Sequence, residues 1–132
     1  MEPNNKEILI NKDCQLIDIQ SVFTANYPFL RIEFIQIEKD AKSLKRTMID
    51  PLTSLKQLTI LDAPTKIDIN KDRTVSEVSN DFEKTLRAIV QVSRKSGNVW
   101  NMISVTDSWT LQSQNTAGEY ISLEMALPVA RT

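Results

Sequence analysis

The segment Ile8-Leu9-Ile10-Asn11-Lys12-Asp13 returns fifty-nine residues later as Ile67-Asp68-Ile69-Asn70-Lys71-Asp72, and in both places a phenylalanine, Phe23 or Phe82, follows the Asn by twelve positions. The apolar pattern repeats at the same offset: Leu16, Ile19, Phe23 and Tyr27 correspond to Val75, Val78, Phe82 and Leu86. Spacings of three, four and four put each set on one face of a helix. Two units of roughly sixty residues are too few for a solenoid, whose repeats need about three neighbours to bury a continuous core. The pattern therefore predicts a duplicated unit, approximately 8–58 and 67–115, inside a single domain spanning residues 1–132.

A chain of 132 residues is one domain by size and buries about two-thirds of the surface of its unfolded chain, enough for a core without staples. Only the tails, Met1 to Lys6 and Val129 to Thr132, offer little to bury. The net charge is −1, and basic and acidic residues balance within each half, so neither unit has the basic excess that makes a phosphate backbone a default partner. No eighteen apolar residues run together and Met1-Glu2-Pro3-Asn4-Asn5 lacks a signal-peptide pattern, so a cytoplasmic protein with no membrane partner is expected. The lone Cys14 agrees, reading as a small side chain at a helix start.

Local signals set the element order. A short strand at Ile8 to Ile10 precedes a turn in which Asp13 can cap a helix running to about Asn26, before Pro28. Phe29 to Ile37 alternates Leu30, Ile32 and Phe34 against Arg31 and Glu33, a half-buried strand. Lys39 to Arg46 reads as a charged loop, Thr47 to Ile49 as a short returning strand, and Asp50-Pro51 as the start of a short helix. Ala63-Pro64-Thr65 separates the units.

In the second unit, Thr74-Val75-Ser76-Glu77 is a capping box for a helix from Val75 to near Arg87. Ala88 to Ser93 and Val99 to Val105 form a hairpin about Lys95-Ser96-Gly97-Asn98. Asp107 or Ser108 would cap another short helix that Gly118 stops, and the alternation of Ile121, Leu123, Met125 and Leu127 suggests a closing strand from Tyr120 to Leu127. The fold expected is α+β, two-layer, from a duplicated β-α-β-β-α unit, with helices on one face of a mainly antiparallel sheet.

Arg94-Lys95-Ser96-Gly97-Asn98-Val99-Trp100, then Thr106-Asp107-Ser108-Trp109-Thr110-Leu111 and Gln114-Asn115, together with Tyr27-Pro28-Phe29-Leu30, resemble the signature of a family of small uncharacterised bacterial proteins. The likeness spans most of the chain and implies relatives but no activity. One departure is that the family usually brackets the strand after the second helix with Gly and an aromatic, whereas this chain has Arg87 and Ser93. The glycine that would make a tight helix-to-strand turn is missing.

The chemistry available is narrow. With no histidine and one cysteine, Ser-His-Asp and Cys-His nucleophile systems and His or thiolate metal sites cannot be built, and Gly97 and Gly118 cannot form a phosphate-cradling loop. Asp68, Asn70, Asp72 and Thr74 alternate like calcium-loop ligands, but Arg73 replaces the loop glycine and Ser79 the closing Glu; a strand, turn and N-cap account for the same residues. Glu77, Asp81 and Glu83 fall on the polar faces of a helix, where a solvated role is the ordinary one. No cofactor is expected.

Trp100 and Trp109 lie near the Arg94-Lys95 turn and suit either an interface or the core under the hairpin. The function expected is a non-enzymatic protein-interaction or assembly module, with a protein partner or self-association, using Arg94, Lys95, Asn98, Trp100 and Trp109. The alternative is nucleic-acid binding through Lys39 to Arg46 with Arg94 and Lys95, which requires these residues to converge on one surface.

Overall fold

The computed structural model describes residues 6–59, 61 and 63–126. The strands are β1 (Glu7–Ile10), β2 (Leu30–Asp40), β3 (Ser43–Met48), β4 (Thr65–Asp68), β5 (Ile89–Ser96) and β6 (Val99–Met102); the helices are α1 (Leu16–Asn26), α2 (Val75–Leu86) and α3 (Leu111–Ala126). The fold is α+β, but the strands form two antiparallel sheets rather than one: a β1-β4 ribbon and a four-stranded sheet in the order β3-β2-β5-β6. Both sheets are completed between the halves, β1 with β4 and β2 with β5.

Each helix of the first pair starts where its sequence supplies a cap. Thr74 Oγ accepts from the Glu77 N–H at 3.1 Å and the Glu77 carboxylate accepts from the Thr74 N–H at 2.9 Å, the reciprocal pair expected for α2. For α1 the N-cap is Gln15, not Asp13: the Asp18 carboxylate accepts from the Gln15 N–H at 2.8 Å, while Asp13 belongs to the preceding turn, its N–H donating to Asn11. Leu16, Ile19, Phe23 and Tyr27, and Val75, Val78, Phe82 and Leu86, are buried, so both apolar faces enter the core.

That core is contiguous across ribbon, helices and sheet, with Ile8, Ile10, Ile67 and Ile69 meeting Leu30, Ile32 and Phe34. Phe34 and Phe82 pack edge-on at 6.0 Å. Lys6, assigned to the tail, contributes instead: its N–H donates to Asn70 and its ammonium sits 5.1 Å from the Tyr27 ring. The rest of both tails lies outside the described residues.

Backbone hydrogen bonds recur at matching positions. Leu16 and Ile17 donate to the carbonyls of Thr53 and Pro51, as Val75 and Ser76 donate to those of Trp109 and Asp107; Leu55 donates to Cys14 as Leu111 does to Arg73. Gln15 bridges Ser54 as Thr74 bridges Thr110. The halves diverge after these contacts, one in a 3-10 turn of three residues at Leu55–Gln57, the other in the sixteen-residue α3.

Lys39 to Arg46 is no loop but the end of a long hairpin, in which β2 runs to Asp40 and β3 begins at Ser43; Glu38 faces Lys45 across the ladder, an opposite-charge pair that suits a solvated strand. The helix expected at Asp50-Pro51 is a turn, in which the Asp50 carboxylate accepts from Leu52, and helical structure begins only after Ser54. Likewise Thr110, rather than Asp107 or Ser108, caps α3, its Oγ accepting from the Ser113 N–H at 3.1 Å.

Nor does Gly118 stop α3, and Tyr120 to Ala126 is helix instead of strand; Leu127 lies outside the described residues. A Cβ on Gly118 would sit 2.9 Å from Phe29 Cβ and 3.1 Å from the Lys95 carbonyl oxygen, so the glycine serves close approach of helix to sheet. The turn after α2 is tight without glycine, because Arg87 itself adopts the left-handed conformation, φ 57° and ψ 38°.

Candidate functional site

The four-stranded sheet has two unlike faces. Leu30, Ile32 and Phe34 point inward to the core, and cross-strand register therefore assigns Arg31, Glu33, Ile35, Ile37 and Lys39 to the opposite face. Opposite Ile35, Ile37 and Lys39 stand Met48, Arg46 and Leu44 of β3. On the other flank, Arg31 faces Ser93, and Lys95 faces Trp100. The helices meet the inner face: α2 through Phe82 on Phe34, and α3 through Gly118 beside the stem of Arg94, which shares the side of Leu30.

The outer face stays open. Ile37 is 45% exposed, Leu44 67% and Met48 54%, while Ile35 beside them is only 6% exposed; Met102, 57% exposed, stands instead in the row of Ser93 and Arg31. Large side chains splayed over a buried neighbour make an apolar surface rather than isolated exposed residues. At the other end, the Arg31 guanidinium lies over the Trp100 ring at 4.7 Å and its Nε is 3.7 Å from the Glu33 carboxylate. The row Glu33–Gln91 separates the two ends. The six residue steps along β2 from Arg31 to Ile37 set them about 20 Å apart. Four cations, Arg31, Lys39, Arg46 and Lys95, and one carboxylate, Glu33, share this face.

Of the residues expected at an interface, Lys95 and Trp100 are brought together here, and Asn98 is exposed at the turn of the same hairpin. Arg94 points inward: its guanidinium donates to Gln114 at 2.9 Å, and the buried Gln114 amide donates to Thr106 at 2.7 and 2.8 Å. Trp109, 44% exposed, sits in the loop whose carbonyl accepts from Val75 at the start of α2. Neither Arg94 nor Trp109 belongs to the outer face. Of the basic residues weighed for nucleic acid, Lys39, Arg46 and Lys95 share that face, but Arg94 and Lys45 do not.

Ile37, Leu44, Met48 and Arg31 escaped the sequence reading. A signal existed: apolar residues of β2 occupy even positions through Phe34 and then odd positions at Ile35 and Ile37, so the apolar side switches faces midway.

The acidic groups around α2 are hydrogen-bonded within the fold. Asp81 pairs with Arg73, and this hydrogen bond is the main cause raising the guanidinium's pKa. Glu83 accepts from the Val90 N–H at 3.0 Å, and Asp68 accepts from the Asn70 N–H at 2.8 Å, fixing the turn before α2. Among the described residues no three of His, Cys, Asp and Glu cluster so as to hold a metal ion, and no helix is long and apolar enough to cross a membrane. Compared with protein-family models, curated proteins and solved structures, the chain matches none.

Proposed function

We propose that the chain is a non-enzymatic protein-binding module whose receiving surface is the open face of the four-stranded sheet. One observation carries the reading: helices cover one face of the sheet, while the other exposes Ile37, Leu44 and Met48 at one end and Met102 with the Arg31–Trp100 stack at the other. A soluble domain rarely leaves such a patch without a partner. Trp and Arg are also the side chains most often found at the energetic centre of interfaces.

The recurring hydrogen bonds of the two halves support descent from a duplicated unit, of which only the second gained a long helix at its end. The proposal assigns the protein to the cytoplasm, in keeping with its single cysteine, half-buried in the structure.

The test is capture by cross-linking in native extract, with the wild type and a Met48→Glu/Met102→Glu variant compared at equal helicity by circular dichroism. Proteins captured by the wild type should be lost from the variant. An unchanged captured set would move the binding surface elsewhere.

A further inference from the structure

The open sheet face has a complementary surface on the same chain. Helix α3 packs inward through Leu111, Gln114 and Gly118, leaving Thr116, Tyr120 and Leu123 in a row on its outer side, at spacings of four and three. Tyr120 is 67% exposed and Leu123 60%. The only charged residues of α3 are Glu119 and Glu124, both exposed beside this row. A short, largely apolar stripe flanked by acids therefore stands uncovered on a chain whose open sheet face is apolar and flanked by cations.

We propose that the occupant of the open sheet face is a second copy of this chain, docked through the outer side of its α3. Tyr120 and Leu123 would lie against Ile37, Leu44 and Met48, with Glu119 and Glu124 near Lys39 and Arg46. A helix laid on a sheet face repeats the packing already present on the inner face.

Face-to-face pairing of two open sheets is the less favourable self-association. It sets the cations of one copy against those of the other. Within one copy the two docking surfaces lie on opposite sides of the sheet, since α3 covers the inner face. The contact is therefore head-to-tail rather than two-fold, giving assemblies that lengthen with concentration unless successive rotations close a ring.

This inference rests on the open face being the receiving surface, and charge reversal tests it separately. One variant reverses the sheet, Lys39→Glu/Arg46→Glu, and another reverses the helix, Glu119→Lys/Glu124→Lys. Wild-type protein should show a weight-average mass by light scattering that rises with concentration up to about 1 mM and falls with added salt.

Each variant alone should associate at least about tenfold more weakly, because acid then meets acid or base meets base. Mixed in equal amounts, they should associate again, since every sheet finds a helix of opposite charge. Recovery on mixing also shows that neither variant lost its fold. A wild type monomeric throughout the range, or association untouched by either reversal, overturns the inference. Loss of captured partners in the Met48→Glu/Met102→Glu comparison would still stand in that case, and would leave a different protein as the occupant. Binding of single-stranded DNA tighter than self-association, abolished by Lys39→Glu/Arg46→Glu, would instead assign the face to nucleic acid.

Discussion

Arg87 holds φ at 57° between α2 and β5, where its Cβ crowds the adjoining carbonyl. That strain is of order 1–2 kcal/mol, and glycine escapes it while adding roughly 0.5–1 kcal/mol of unfolded-chain entropy. Arg87→Gly should therefore stabilise the fold by up to about 1 kcal/mol, read as a higher urea midpoint at unchanged slope. A lower midpoint would mean that the arginine side chain contributes more than its backbone costs.

Tyr27 carries the clearest pH signature. Burial, and after it the charges of Asp68 and Asp72, push its pKa up to about 12, and its hydroxyl donates to the Ile69 carbonyl at 2.6 Å. In the unfolded chain a tyrosine ionises near pH 10. Between those values the folded state keeps a proton that the unfolded state releases, so the contribution is full below about pH 10 and declines as pH rises towards 12. The stability margin of wild type over Tyr27→Phe should shrink across that window in denaturant titrations. A constant margin would show that the phenol is not held protonated by the fold.

At the level of elements, signals confined to a few consecutive residues were legible and those needing a distant partner were not. The capping box of α2 lies within four residues and was readable outright. The offset of fifty-nine carries Thr74 onto Gln15, so the repeat itself pointed to the true cap of α1. Gly118 was misread because what makes it necessary, Phe29 and the Lys95 carbonyl, is remote in sequence. Gly118→Ala should raise the intrinsic helix propensity of α3 by about 1 kcal/mol, yet destabilise the protein, because relieving the overpacking costs typically 1–3 kcal/mol. Thermal melts decide the sign. A raised melting temperature would mean that α3 can lift from the sheet at little cost. The open face was hidden for a related reason: its residues converge from four strands, and only the phase switch at Ile35 is local.

For the whole molecule, Phe23 and Phe82 occupy corresponding places and are both fully buried in one core. Truncating either to alanine should cost about 3–5 kcal/mol, with similar values for the two. Calorimetric or urea unfolding checks this, and a loss below about 1 kcal/mol at one site would show that the halves share the core unequally. Because β1 pairs with β4 alone among the described residues, and the long β2 relies on β5 for its inner edge, neither half can finish a sheet by itself. On a ribosome adding about 5–20 residues per second, the roughly sixty residues separating these partners take some 3–12 s to appear. Throughout that interval the nascent first half holds unsatisfied strand edges and a bare apolar helix face, so its safe passage depends on chaperone cover or on the speed with which the second half arrives.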